Sequence, residues 1–328
     1  MDIRITRARR VFSDGKHNAF TGIAAAHGKV FIAFRSGTHH MIPDGAIKVI
    51  GSSDMETWQV AAEVRRPGVD LRDPKLVVWG EKLMVFCAEC HPKKARRSLV
   101  IQSSDGVTFG EPVPVRGIPD GRWLWHVAAN GDKLYGSAYT VQDGKYVVSL
   151  YSSDDGLRWE LASDFPVPGN EVYLDFDRNG ILWALMRDSS HGGIPALCTA
   201  EPPYTSFRSV TCLPMRLQGP MIKRLDGGCV IVCRVWGQDG KRHCTRTDLF
   251  WLEDGCDPRL VRTLPSGGDT SYAGWLDTGP GRAVLSYYSS HEHKMAVPHD
   301  EDDSLLKDPA HAEHSTPADI FLADVSYQ

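Results

Sequence analysis

No stretch of this 328-residue chain is apolar and long enough to cross a membrane, and its start, MDIRITRARRVFSDG, has basic residues but no apolar core of export-signal length. A soluble, cytoplasmic protein is the expectation. A surplus of one charge is missing too: 37 lysines and arginines face 41 aspartates and glutamates, a net charge of −4, so no overall field draws the molecule to nucleic acid or to an acidic membrane. The expected partner is small. Eight cysteines without an export signal point to reduced thiols rather than a disulfide framework. Cys87 and Cys90 form a CxxC, yet no second pair stands at zinc spacing and no strand–helix alternation surrounds it, so both are read as strand residues. No segment calls for a helix, and no metal or cofactor is expected.

What the chain does have is a repeat. Six times a glycine-led turn opens an apolar strand: HGKVFIAFRSG, GEKLMVFCAEC, GDKLYGSAYTV, NGILWALMRDS, DGGCVIVCRVW and GPGRAVLSYYSS, led by Gly28, Gly80, Gly131, Gly180, Gly227 and Gly281, at intervals of 52, 51, 49, 47 and 54 residues. A self-similar period near 50 filled with short strands is the signature of a β-propeller, one four-stranded blade per repeat. The expectation is one all-β domain over 1–328, a six-bladed propeller of antiparallel blades. Blade 1 places its strands near 20–27, 29–35, 46–52 and 58–63. The last blade is one strand short, and IRITRARRVF at the N-terminus is expected to pair with ADIFLADVSY at the C-terminus and close the ring.

Three blades carry a matching turn after their third strand: Ser52-Ser53-Asp54 with Trp58, Ser103-Ser104-Asp105 with Phe109, and Ser153-Asp154-Asp155-Gly156 with Trp159. An Asp or Ser side chain can bond the backbone of its own turn while the aromatic tucks under the blade. These turns resemble the Asp-boxes (BNR repeats) of sialidases and related propellers, with EPPYTSF a degenerate copy in blade 4.

Strand direction alternates, so the loops entering each first strand and those leaving each second strand share one face. The first strands open with Phe20-Thr21, Arg72-Asp73-Pro74, Trp125-His126, Asn170-Glu171, Gln218-Gly219-Pro220 and Asp269-Thr270-Ser271-Tyr272. Seven residues after each leading glycine stand Arg35, Cys87, Ala138, Arg187, Arg234 and Tyr288. Three arginines at one depth around one axis make a concentrated positive field with forked donors suited to a carboxylate or to vicinal hydroxyls.

GNEVYLDFDRNGILWALMRDSS resembles the sialidase blade in which a glutamate opens the inner strand and an arginine closes the next, and GGDTSYAGWLDTGPGRAVLSYYSSHE resembles the last blade, where a tyrosine opens the inner strand. The resemblance implies that Tyr272 attacks the anomeric carbon, that Glu171 activates it, and that Arg187 and either Arg234 or Arg246 bind a carboxylate. A neutral phenol is a weak nucleophile, which is why the chemistry needs a carboxylate within hydrogen-bond reach. It also needs an acid for the leaving oxygen. In sialidases this is an aspartate in the loops between blade 1 and blade 2; here that region offers Asp73 and His40, ranked equal, with Asp44 in PDG read as a turn residue. His39, Arg72, His126 and Asp269 complete the candidate substrate contacts. Sialidases begin blade 1 with an Arg-Ile-Pro that grips the substrate carboxylate, and AFTGIAA stands there instead, with Arg35 the candidate to reach the same spot.

An insert over 291–317, rich in histidine and acidic groups, is read as a solvated flap over the working face. The leading expectation is thus a sialidase-like glycoside hydrolase that removes a terminal, acidic sugar from a carbohydrate. Two alternatives stay open: a polysaccharide lyase using His126, His40 and Tyr272 on a uronate, and a non-catalytic carbohydrate-binding propeller.

Overall fold

The computed structural model describes residues 1–40, 42–92, 94–187, 195–235, 245–293 and 316–328. They form six four-stranded antiparallel sheets with no helix among the described residues. Blade 1 holds β2 (His17–Ala26), β3 (Lys29–Gly37), β4 (Ala46–Ser52) and β5 (Gln59–Val64); blade 2 holds β6 (Asp70–Trp79), β7 (Lys82–His91), β8 (Lys94–Ser103) and β9 (Val113–Pro114). Blade 3 follows with β10 (Trp123–Asn130), β11 (Lys133–Gln142), β12 (Lys145–Ser153) and β13 (Glu160–Asp164), and blade 4 with β14 (Val172–Phe176), β15 (Leu182–Met186), β16 (Ala196–Ala200) and β17 (Ser209–Cys212). Blade 5 is β18 (Gln218–Leu225), β19 (Gly228–Val235), β20 (Arg246–Glu253) and β21 (Arg259–Thr263). Blade 6 runs β22 (Thr270–Gly279), β23 (Arg282–Ser289), β24 (Asp319–Tyr327), and its outermost strand is β1 (Ile3–Phe12). The expected pairing of the two termini is therefore present, in register from Ile3 opposite Tyr327 to Phe12 opposite Ile320.

The repeat seen in the sequence has a backbone cause. All six leading glycines sit at φ between +59° and +80°, the left-handed region that a side chain resists, in connections of two residues in five blades and of five residues, 177–181, in blade 4. Apolar faces of adjacent blades pack together, as where Val77, Met84 and Phe86 of blade 2 meet Leu124, Leu134 and Trp159 of blade 3. On the outer face Asp54 Oδ1 accepts the backbone N–H groups of Glu56 and Thr57 at 2.8 Å, and Asp105 and Asp155 repeat the pattern in their own turns. Those donors push Asp54 and Asp105 down to about 2. Cys87 and Cys90 both lie on β7, as expected.

Candidate active site at the channel mouth

Inner strands do not run straight into the mouth. In five blades the pairing of first and second strands slips near its start, between Ala19 and Gly22, Arg72 and Lys75, Leu124 and His126, Gln218 and Met221, and Ser271 and Gly274. Such bulges re-aim a side chain. They carry Phe20 (φ 64°), Asp73 (φ 49°), Ser271 (φ 98°) and Tyr272 (φ 51°) into the left-handed region, a strain of a kind concentrated at functional sites. Trp125 of blade 3 stands 6.3 Å from Tyr272 of blade 6, ring centre to ring centre. Those blades are opposite in the ring, so the side chains meet across its axis.

Blade 5 offers glycine where the others offer a side chain. A Cβ on Gly219 (φ 54°) would lie 2.7 Å from Cδ2 of Tyr272. That space is filled by the tyrosine ring.

Tyr272 donates its phenolic hydrogen to Glu171 Oε1 over 2.9 Å, and Arg187 Nη1 reaches both that same Oε1 and, at 3.0 Å, the phenol oxygen. Arg234 lies over the Tyr272 ring with Cζ 5.2 Å from its centre, held by Thr270 O at 3.0 Å. Burial raises the phenol pKa, with Glu171 adding to it against Arg187 and Arg234, so Tyr272 rests as a neutral phenol. Tyrosine, carboxylate and guanidinium come from blades 6 and 4, as the sequence reading paired them.

Asp73 faces the same space. Trp125 Nε1 donates to its Oδ2 over 3.2 Å, while Oδ1 is buried without a partner, as is Glu171 Oε2. Burial raises the Asp73 pKa and the charge of Glu171 adds to it, against Arg72 and Lys75. Two residues here escaped the sequence reading. Lys75 is buried two positions past Asp73, with Nζ 4.9 Å from the Trp125 ring centre; Tyr139 on β11 is buried within the field of Glu171, Asp73 and Arg187. Lys75 is the first residue paired after the bulge, opposite Phe86, and Tyr139 is one residue beyond the depth of Ala138, so neither falls at a position the repeat singles out.

Beside Tyr272 lies a second group. His17 Nε2 is 2.8 Å from Asp269 Oδ2, His40 Nδ1 bonds the same oxygen, and Tyr288 donates to Oδ1 over 2.7 Å. Burial outweighs Asp269 and pushes His40 down to about 3, so its imidazole is neutral. His17 was not among the expected site residues; its one signal is its place three residues before Phe20.

Several expected ligand contacts have other tasks. Arg35 is fully buried and its guanidinium is taken by Asp70 Oδ1 (2.8 Å), His39 O (2.9 Å) and Ile42 O (2.7 Å). It props the loop that carries His40 and cannot stand in for the missing blade 1 arginine. His39 is buried, stacked on His17. Arg72 lies over the Phe20 ring and donates to His40 O at 3.1 Å. Asp44 bonds Thr38 N, the turn role expected of it. His126 is packed between blades 3 and 4, its ring centre 3.7 Å from that of Tyr173 and its Nδ1 accepting Leu174 N–H; the bulge sends Trp125 to the axis and His126 away from it. Arg246 opens β20 and donates to Asp248 Oδ2 on its own strand, so of the two competitors it is Arg234 that touches Tyr272. Most of the expected flap, residues 294–315, lies outside the described residues.

No protein-family model matches this chain, and no curated protein matches it in sequence. Among solved structures it is similar to a protein of unknown function from Dyadobacter fermentans DSM 18053, with a TM-score of 0.77 and 16% identity over 99% of both chains. It is also similar to the phage phi92 endosialidase, with a TM-score of 0.71 and 8% identity over 98% of this chain and 69% of that one. A third likeness is to the Trypanosoma rangeli sialidase in complex with the inhibitor DANA, with a TM-score of 0.65 and 10% identity over 94% of this chain and 55% of that one. This chain spans about half the length of the trypanosomal protein. At such identities the likeness is one of fold, a sialidase-like six-bladed propeller.

Proposed function

We propose that this chain is a glycoside hydrolase that removes a terminal, acidic sugar, with Tyr272 as nucleophile and Glu171 as its base. The observation that carries the reading is the 2.9 Å hydrogen bond from the Tyr272 phenol to Glu171, with Arg187 bridging both oxygens. As the phenol attacks the anomeric carbon, Glu171 takes its proton and Arg187 stabilises the developing phenolate. Asp73, whose carboxyl burial raises above the usual carboxylate range, gives its proton to the leaving oxygen. Water then breaks the tyrosyl–sugar bond, so the anomeric configuration is retained. Arg234 and Arg72 supply the positive field that selects an acidic sugar. The sialidase and endosialidase among the structures of like fold support this choice of substrate class. Elimination from a uronate loses one of its three candidate bases, His126, which is packed against Tyr173.

The test is release of fluorophore from sialosides, other acidic glycosides and neutral glycosides. Release from an acidic member is expected, with Tyr272→Phe reducing the rate by at least about a thousandfold while the circular dichroism spectrum is unchanged. Folded protein that releases nothing from any member overturns the reading, as does an unsaturated, ultraviolet-absorbing product.

A further inference from the structure

One cluster at the mouth supplies no nucleophile, base or acid to that chemistry. One ring nitrogen each of His17 and His40 and a carboxylate oxygen of Asp269 lie within 4.8 Å of one another, brought together from β2, the loop after β3 and the loop before β22. Imidazole nitrogens with one carboxylate oxygen are the donors that zinc and its first-row neighbours take in sites of three protein ligands. We infer that His17, His40 and Asp269 bind a divalent transition-metal ion of the zinc type, with its open coordination position toward the channel mouth.

The three ligands are held in place by their surroundings. Tyr288 donates to Asp269 Oδ1 and leaves Oδ2 for the ion, the outer-shell support that ligating carboxylates usually have. The loop bearing His40 is pinned from two sides, by Arg72 on His40 O and by Arg35 on His39 O and Ile42 O. Phe20 walls the site, its ring centre 5.1 Å from that of His40 and 5.6 Å from that of Tyr288. His17 and Asp269 are buried, whereas the His40 side chain keeps 24% of its surface, so access is from the His40 side. His17 Nε2 is now in hydrogen-bond contact with Oδ2 at 2.8 Å; tetrahedral bonds of about 2.0–2.2 Å place ligand atoms roughly 3.3–3.5 Å apart. His40 Nδ1 bonds the same oxygen, so both imidazoles must draw away from Oδ2 as the ion enters.

Charge indicates what takes the open position. The ion and Asp269 leave one net positive charge, with Arg234 Nη2 only 3.9 Å from Asp269 Oδ1. An anionic oxygen is favoured there. If the hydrolase reading above holds, that oxygen belongs to the substrate carboxylate.

The intact chain, stripped with a chelator and dialysed, is titrated with Zn²⁺ by calorimetry and its metal content is measured after gel filtration, with Co²⁺ as the spectroscopic probe. One zinc ion per chain and the intense visible bands of low-coordinate Co²⁺ are expected. Asp269→Asn and His17→Gln are expected to weaken zinc binding by more than the about 10- to 100-fold that loss of an outer-shell partner costs, and Tyr288→Phe, which keeps all three ligands, to weaken it within that range. Folded wild-type protein that binds no zinc overturns the inference. So does affinity unchanged in the ligand variants, which assigns the ion to histidines or cysteines elsewhere; should those variants not fold, unchanged affinity in Tyr288→Phe has the same force. Binding is read without substrate, so absent glycoside cleavage leaves this result standing and sinks only the hydrolase.

Discussion

At Asp73 burial raises the pKa, the charges of Arg72 and Lys75 lower it, Glu171 raises it again, and burial prevails. A carboxyl whose folded-state pKa lies above its unfolded value stabilises the fold fully below the unfolded pKa and loses that contribution as pH rises through the folded one. Asp73→Asn, neutral at every pH and still able to accept from Trp125, is therefore expected to melt higher than wild type at pH 7, with the gap closing toward pH 4, while glycoside release falls. Thermal melts at the two pH values check the sign, and a variant less stable at pH 7 refutes it. Arg35 gives the opposite case. Its removal leaves Asp70 buried with only Arg72 at 3.3 Å and the Gly45 N–H at 3.0 Å and strips the carbonyls of His39 and Ile42 of their donor, and breaking a buried pair from one side costs up to about 3–5 kcal/mol. Arg35→Met is expected to lower chemical stability by that order, seen in a urea titration. A normal midpoint with only KM raised would return Arg35 to the role of substrate ligand.

At the level of the strand, what the sequence shows and what it hides divide at the bulges. Turn glycines and strand period gave blade 1 boundaries within three residues of those observed, because left-handed turns and two-residue alternation are local properties. The depth rule placed Arg187 and Arg234 correctly at the mouth, since β15 and β19 run straight to it. It misplaced Arg35 because the following loop curls back until two of its carbonyls reach the guanidinium, a contact no strand count reveals. His126 was misplaced by one residue for the same kind of reason: the slip between Leu124 and His126 exchanges which of two neighbours points inward. Gly219 is the bulge position most open to test. Alanine there must adopt φ near +54°, at about 1–2 kcal/mol, and its Cβ must push the Tyr272 ring aside. Gly219→Ala is expected to reduce kcat about a hundredfold, the effect of misplacing a reacting group by roughly 1 Å, with only a modest loss of melting temperature. Unchanged kcat would show that the Tyr272 position is not set from blade 5.

For the molecule as a whole, β1 does two jobs at once. It covers the edge of β24, which would otherwise present unpaired backbone groups to solvent. It also ties blade 6 to blade 1: Arg9 pairs with Asp324 of β24 at 2.8 Å and donates to Met55 O in the first outer-face turn, and Arg7 pairs with Glu56 in that turn. The seam lies directly behind the site, because Tyr272 and Asp269 belong to blade 6 whereas His17 and Phe20 belong to blade 1, and Thr21 Oγ1 donates to Tyr272 O across the same boundary. Opening the ring should therefore loosen the mouth before it unfolds the blades. Removal of residues 2–12 is expected to lower the melting temperature, to promote association through the bared β24 edge, and to abolish catalysis, while blades 2 to 5 keep their protection in hydrogen exchange. Equal loss of protection in all six blades would mean that the ring unfolds as one cooperative unit, with closure stabilising every blade alike rather than guarding the seam beneath the site.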